Sequence, residues 1–302
     1  MSTHPRYLSL GAGVQSSVVL LLAARGEIPP FDAAVFAVTG WEPTAVYDHL
    51  DHLERIAASA GIPVVRVSAG NIRADALDPA HRFASMPLFT LGPNGERGMA
   101  RRQISTNEYK IRPIKAEVRR RLGYPHPQRV PAGIVADMAI GISLDEVHRA
   151  RDADVGYMRN VFPLLDLGWR RSDCMTYLEQ HGLSGVGKSS CLGFHDDGFW
   201  AALRDGSPAE WAGAVAFDAA IRHGSARAAD GHPLRGQFFL HRRRVPLDHV
   251  TFRPKPTAVH ADDAGDGEVP GCGPWTCPHP SEAVTEPIVE LAADVGGVRE
   301  VA

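Results

Sequence analysis

Small and hydroxyl-bearing residues follow the first apolar segment of the chain, in the run Gly11-Ala12-Gly13-Val14-Gln15-Ser16-Ser17. Small side chains let backbone N–H groups approach an anion closely, and a helix beginning at Gln15 adds the positive end of its dipole. Ser16 and Ser17 contribute hydroxyl donors. The run therefore predicts a phosphate-binding loop, with an ordinary strand-to-helix turn capped by serine as the alternative. It is not the kinase-type loop, because the pattern GxxxxGKS/T does not occur.

Basic residues are concentrated downstream of this loop, at residues 101–102 and around Lys110 and Arg112. A guanidinium group binds phosphate through two parallel hydrogen bonds, whereas an ammonium group acts as a point charge. We expect Arg102, Lys110 and Arg112 to contact the phosphorylated ligand or a second anionic substrate. The alternative is a solvated helix face, which suits residues 119–121 better unless they dock RNA or DNA.

The loop lies within an alternation of apolar segments and helical patterns. Strand, helix, strand, helix and strand are predicted in that order, over residues 7–10, 15–25, 33–38, 44–60 and 62–67. This order is typical of an α/β fold with a parallel sheet and crossover helices. Beyond it we predict a long loop, a basic helix, another buried strand and a helical region, over residues 68–100, 114–122, 134–142 and about 169–221.

Ligands of a parallel sheet bind at the carboxyl ends of its strands. The phosphate loop, the residues after the second strand and residues 141–146 are therefore expected to meet at one edge. Gly40 would let a base or ribose approach closely, and the backbone at Val38 could pair with an adenine edge. The alternatives are an ordinary turn at Gly40 and, for Asp145 and Glu146, carboxylates that stabilise a helix start.

The composition is that of a globular chain, with 44% of the 302 residues hydrophobic and 22% charged. These values exclude a wholly disordered protein, a coiled coil and a collagen. A net charge of −3 provides no general basic field for nucleic acid. The longest apolar run, residues 18–24, is far shorter than the ~20 residues of a membrane span, so we expect a cytoplasmic protein. We expect a nucleotide-binding α/β domain at 1–165, a helical region at 166–258, and a linker with a cysteine-containing C-terminal segment at 259–302.

The loop resembles the pyrophosphate-binding motif SGGxDS of the PP-loop ATP pyrophosphatases and the phosphoadenosine phosphosulfate (PAPS) reductase family. Gly11 stands in place of its first serine, Ala12 of its first glycine and Gln15 of its aspartate. The form GAGVQSS is similar to PAPS-reductase-like proteins of bacteria and phages. Further matches lie in the same order, across most of the chain, at TGWEP (39–43), RRQ (101–103), EYKIRPI (108–114), GISLDE (141–146), KSSC (188–191) and the late cysteine pair.

The resemblance implies an adenine nucleotide alpha-hydrolase-like, Rossmann-like fold followed by a smaller helical region, with ATP and Mg²⁺ as cofactors. An acceptor oxygen would attack the α-phosphorus, so that AMP is attached and pyrophosphate leaves. Sulfide or an amine would then displace AMP. Catalytic roles are implied for Ser16, Arg102, Lys110 and Arg112. Nucleotide contacts are implied for Ser9, Gly11, Ala12, Gly13, Gln15, Ser16, Ser17, Val38, Thr39, Gly40, Glu42, Gly141, Ser143 and Glu146. The acceptor would be a nucleobase, RNA, DNA or another small molecule, and a homodimer is among the expected assemblies.

Four cysteines bear on the choice of chemistry, namely Cys174, Cys191, Cys272 and Cys277. In a reducing compartment they are better interpreted as thiols or metal ligands than as disulfides. The last three would suit a [4Fe-4S] cluster with one open iron, which would support thiolation of a nucleobase or small molecule. Zinc, with His195, His279 or Cys174 as fourth ligand, and no metal at all are the alternatives. Cys174 is expected to be a buried helix residue.

Two other functions fit the same resemblance. The first is reduction of PAPS or adenylyl sulfate to sulfite, although the Glu-Cys-Gly-Leu ending of such reductases is missing. The second is a non-catalytic module that senses a nucleotide or associates with nucleic acid. This module is favoured by Gln15 at the aspartate position and by two absent family thiols, where the chain has residues 104–106 and 192–195 instead.

Overall fold

The computed structural model describes residues 4–81, 86, 88–99, 106–186, 195–224 and 236–253. Strands and helices alternate at the start of the chain, as β1 (Arg6–Leu10), α1 (Val14–Ala24), β2 (Ala33–Val38), α2 (Thr44–Ser59), β3 (Val64–Ser68) and α3 (Ile72–Leu77). The strands are short apolar runs, whereas α2 carries apolar residues at helical spacing, with Val46, Leu50, Leu53 and Ala57 buried. The predicted alternation is thereby confirmed.

Two further strands precede a π-helical turn that continues directly into a helix. The elements are β4 (Phe89–Leu91), β5 (Arg97–Met99), the π-turn (Asn107–Ile111), α4 (Arg112–Arg121), β6 (Ala136–Ala139), a 3₁₀ helix (Leu144–Arg149) and β7 (Met158–Val161). The remaining described elements are α5 (Pro163–Asp166), α6 (Arg171–Gln180), α7 (Asp197–Gly206), α8 (Pro208–Ala220), β8 (Gln237–Phe239) and a second 3₁₀ helix (Leu247–His249).

Five parallel strands form the main sheet, in the order β3-β2-β1-β6-β7. Strands β2 and β3 lie on one side of β1, and β6 and β7, which come later in the chain, lie on its other side. The order therefore reverses beside β1, at the kind of switch point where α/β sheets bind ligands. The protein is thus a Rossmann-like α/β protein.

Both faces of this sheet are covered, which explains why its strand β2 is apolar without interruption. Leu8, Leu10 and Phe36 pack with α1, α2 and α6 on one face. Tyr7 and Val35, which alternate with them along the strands, pack on the opposite face with α4. The two cores fix the strand ends, and hence the loops that follow them.

A second, three-stranded antiparallel sheet has the order β5-β4-β8. Its Phe238 joins a third core with Trp200 and Phe217 of α7 and α8, packed against Trp41 and Ile72. The prediction of one long loop over residues 68–100 is wrong, since α3, β4 and β5 lie there. The strands β4 and β5 have only three residues each, and β4 also pairs with β8, which is distant in sequence. No local alternation of apolar and polar residues therefore indicates them.

The other boundaries differ by a few residues from the predicted ones. The strand predicted over 62–67 runs from Val64 to Ser68, and the strand predicted over 134–142 is only Ala136–Ala139. Within the described parts of the chain, every helix falls short of the length and apolar character that a membrane crossing requires.

Candidate functional site

The loop after β1 folds back over the first turn of α1. Ala12 adopts a left-handed conformation with φ 54°, which is uncommon for a residue with a side chain. The Gly11 N–H donates to Ser16 Oγ at 3.1 Å, and the Ser16 hydroxyl donates to the Gly13 carbonyl at 3.2 Å. Ser16 therefore holds both ends of the glycine–alanine–glycine turn in place.

The start of α1 lacks the usual neutralising groups. No side chain caps it and its first turn contains no acidic residue. The first N–H groups of a helix have no partner within the helix, and together with the dipole they favour an anion. The eleven-residue α1 thus presents a positive end beneath the predicted phosphate loop.

Gln15 connects this turn to two other parts of the fold. Its amide nitrogen donates to Glu146 Oε2 at 3.1 Å and to Ser143 Oγ at 3.4 Å. Its amide oxygen accepts from the Arg171 guanidinium at 3.1 Å. An aspartate at this position could not donate to Glu146, so glutamine fits the network where the family motif has an acid.

Gly141 brings the loop after β6 against the backbone of α1. A Cβ atom at this position would lie 2.7 Å from the Ser16 backbone nitrogen and 2.9 Å from the Gln15 carbonyl carbon. Such contacts are too short for any side chain, so only glycine allows this approach. The loops after β1 and β6 therefore meet, together with the side chains of Ser143 and Glu146.

The segment after β2 is packed by its own neighbours. Gly40 has φ 81°, and a Cβ there would lie 2.8 Å from the side chain of Asn71. Asn71 donates its amide to the Gly40 carbonyl at 3.2 Å, while the Thr39 carbonyl accepts from the Ile72 N–H at 2.9 Å. At Val38, the carbonyl accepts from the Ser68 hydroxyl at 3.1 Å. Gly40 thus allows the close approach of Asn71, and the expected approach of a base stays a prediction.

A buried ion pair lies at the end of β2. The Lys110 ammonium donates to Glu42 Oε1 at 3.0 Å, and the two side chains are 9% and 0% exposed. The second carboxylate oxygen of Glu42 is buried without a hydrogen-bond partner. Lys110 lies in the π-turn, which packs against β2, and π-turns often occur at functional positions. An ammonium group, its charge balanced by the Glu42 carboxylate, is thereby fixed next to the strand that neighbours β1.

Arg112 lies elsewhere than Lys110, although only one residue separates them. It is exposed at the first position of α4 and forms no hydrogen bond or ion pair with another described residue. It lines an open groove beside the end of β3 together with Ser68 and Tyr109. Lys110 and Arg112, which are both expected to contact phosphate, therefore lie in different parts of the structure.

Two serines expected to contact the nucleotide are inside the protein. The Ser17 side chain is fully buried, and its hydroxyl lies 2.9 Å from Nε2 of His49 on α2. Burial lowers the pKa of His49, so the imidazole is held in its neutral form. The Ser9 hydroxyl is buried in β1 without a hydrogen-bond partner. We leave both residues out of the site proposed below.

Several predicted site residues lie outside the described residues, namely Arg102, Cys191, Cys272 and Cys277. Cys174 is buried in α6, and burial raises the pKa of its thiol to about 12. Such a thiol is not available as a thiolate ligand. In the described ranges, no three His, Cys, Asp or Glu side chains are grouped so that they could hold a metal ion.

The sequence gives no signal for some residues of this site. Arg171 and Asn71 reach it from other elements, and neither belongs to a recognisable motif. The site is therefore an uncapped helix start, joined to the β6 loop through Gly141 and Gln15, with the buried pair of Lys110 and Glu42 beside it. No protein-family model matches the chain, and no curated protein matches it.

Proposed function

We propose that this protein is an ATP-binding enzyme of the adenine nucleotide alpha-hydrolase-like fold that transfers AMP to an acceptor and releases pyrophosphate. The observation that carries the proposal is the uncapped start of α1 beneath a turn held by Ser16. An uncapped helix start at a topological switch point is suited to a phosphate group. The order of motifs along the chain, which resembles that of PP-loop proteins, supports ATP as the ligand.

In the proposed reaction, the N–H groups of the α1 turn donate to the pyrophosphate part of ATP. Adjacent parallel strands are about 4.8 Å apart, so a triphosphate bound after β1 extends to the end of β2. Lys110, already positioned there by Glu42, would offset negative charge at the α-phosphate. A deprotonated acceptor oxygen forms a bond to the α-phosphorus, the bond from that phosphorus to the bridging oxygen breaks, and pyrophosphate leaves with that electron pair.

Mg²⁺ prefers oxygen ligands, and the carboxylates of Asp145 and Glu146 after β6 are the candidates to hold it. Glu146 accepts from Gln15 and from Arg149, and Asp145 accepts from the Arg171 backbone N–H at 2.8 Å. Both oxygens of Glu146 and one oxygen of Asp145 are already engaged, so this pair of carboxylates does not fit a magnesium ion held by the protein. The proposal takes no step through Mg²⁺, nor through an iron–sulfur cluster, whose expected ligands lie outside the described residues.

One observation favours binding without turnover as a second candidate. Gln15 uses both its donor and its acceptor within the network of Glu146, Ser143 and Arg171. No acidic group therefore occupies the motif position where the PP-loop family has aspartate. A nucleotide-binding module with this loop would bind ATP tightly without releasing pyrophosphate.

The experiment that tests the proposal measures ATP affinity by calorimetry for the wild type, Gly141→Ala and Gly156→Ala. The alanine at 141 must displace the Ser16 backbone, whereas at Gly156 a Cβ meets nothing within 4 Å. We expect Gly141→Ala to weaken ATP binding about tenfold or more, as for one lost charge-assisted hydrogen bond, and Gly156→Ala to leave it unchanged. Thermal unfolding of both variants shows whether they remain folded.

A wild type that binds neither ATP nor AMP nor PAPS would refute the proposal. Incubation with candidate acceptors and ATP labelled in the α-phosphate distinguishes adenylation from binding alone, because the label is transferred with AMP while unlabelled pyrophosphate leaves. Labelled acceptor supports the enzyme, and tight binding with no labelled product supports the non-catalytic module.

A further inference from the structure

A groove of about 480 Å³ opens between the end of β3 and the start of α4. Its walls include Ser68, Ala69, Tyr109, Arg112, Pro113 and Ala116. Because β3 and β1 are separated only by β2, the groove and the phosphate loop are about 10 Å apart along the same sheet edge. That separation suits a second substrate better than a further part of the phosphate chain.

Arg112 supplies the charge of this groove. It is exposed, and none of the described residues bonds to its guanidinium. By contrast, Arg66 and Arg159 each pair with carboxylates. Glu108 also lines the groove, and it has an interaction of its own. The groove therefore favours an acid group at Arg112.

The rest of the wall combines an apolar part with the polar side chains of Ser68, His81 and Glu108. The Tyr109 hydroxyl donates to Asp75 Oδ2 at 2.6 Å, so its phenolic group is tethered beside the groove. Pro113, Ala69 and Ala116 have no polar side-chain atoms and leave room for a planar body. Arg112 on one side of the groove and apolar side chains on the other match the acid group and the ring of an aromatic or heteroaromatic acid.

We propose that this groove binds the acceptor, and that the acceptor is a small aromatic acid anchored by its carboxylate or phosphate at Arg112. The acceptor role rests on the proposed function, since it requires ATP at the neighbouring loop. Lys110 and Arg112 then have separate roles. Lys110, held by Glu42, offsets charge on the nucleotide, and Arg112 selects the acceptor.

The test uses two isosteric probes, naphthalene-2-carboxylate and its neutral carboxamide, with binding measured by calorimetry and saturation-transfer NMR. The proteins are the wild type, Arg112→Gln, Ala116→Leu and Arg129→Gln. Leucine at 116 fills the groove without changing its charge. Arg129 is an equally exposed arginine without a described partner, so its variant is the matched control. ATP affinity is measured on all four proteins.

We expect the wild type and Arg129→Gln to prefer the carboxylate about tenfold or more, which is typical for a hydrogen bond to a charged group. Arg112→Gln should remove that preference, and Ala116→Leu should weaken the binding of both probes. The affinity for ATP should be the same in all four proteins. Equal binding of the two probes by the wild type, no binding of either, or an unaltered preference in Arg112→Gln overturns the proposal.

The ATP measurements separate this inference from the proposed function. Loss of ATP binding in Arg112→Gln alone would place the groove within the nucleotide site and overturn its role as acceptor site. Failure of the wild type to bind ATP would contradict the proposed function and the acceptor role together. A carboxylate preference that depends on Arg112 would still establish the groove as a site for an acid.

Discussion

The amide nitrogen of Gln15 lies 3.1 Å from Oε2 of Glu146, and this hydrogen bond joins the first turn of α1 to the 3₁₀ helix that follows β6. Glu146 is also paired with Arg149, and Gln15 also accepts from Arg171. A neutral amide that both donates and accepts is thus placed between a carboxylate and a guanidinium. That side chain therefore ties the first turn of α1 to the segment after β6 and to α6.

Replacement of Gln15 by glutamate should destabilise the protein by about 1–3 kcal/mol, because a buried donor is lost and two carboxylates then face each other. The two neighbouring carboxylates repel each other when both are charged, so the destabilisation should be larger at pH 8 than at pH 5. Urea unfolding of Gln15→Glu between pH 5 and pH 8 measures this. A Glu146→Gln change in the same protein should restore part of the stability, and full additivity of the two changes would contradict the coupling.

The buried pair of Lys110 and Glu42 gives a second prediction. Lys110→Met leaves the Glu42 carboxylate buried and unpaired, and such a change typically costs about 3–5 kcal/mol. The double variant Lys110→Met with Glu42→Gln should recover much of the loss, since no uncompensated charge remains. Denaturant unfolding of the three proteins compares them, and a stable Lys110→Met alone would show that the pair does not hold the π-turn.

Cys174 should be unreactive in the folded protein. Burial raises its pKa to about 12, so the thiolate fraction near neutral pH falls about a thousandfold below that of an ordinary cysteine. Brief treatment with iodoacetamide at pH 8, followed by mass spectrometry of the peptide containing Cys174, should find this residue unmodified. The same treatment in denaturant provides the control, and rapid labelling without denaturant would mean that α6 opens readily.

The sheet and its ligand edge could be predicted from local patterns, whereas the contacts across that edge could not. Parallel strands place their carboxyl ends at one edge, so the loops after β1 and β6 are expected to meet there, whereas the adjacency of β1 and β6 is seen only in the structure. The bond from Arg171 to Gln15 spans 156 residues and depends on how α6 packs on α1. The loop sequence predicts Ser17 at the phosphate because a serine hydroxyl can donate to an anion, but the helical rotation after Ser16 turns Ser17 toward His49.

The pair of Ser17 and His49 predicts how stability changes in mild acid. Burial lowers the folded-state pKa of His49, and the nearby His52 lowers it further, so the unfolded chain binds the proton more tightly. Its contribution to stability is therefore complete above the unfolded pKa of about 6.5 and is lost as pH falls below that value. His49→Gln keeps a side chain that can hydrogen-bond Ser17 but cannot titrate. Thermal unfolding of both proteins between pH 5 and pH 8 should show a steeper acid loss for the wild type, and equal slopes would show that His49 does not titrate on unfolding.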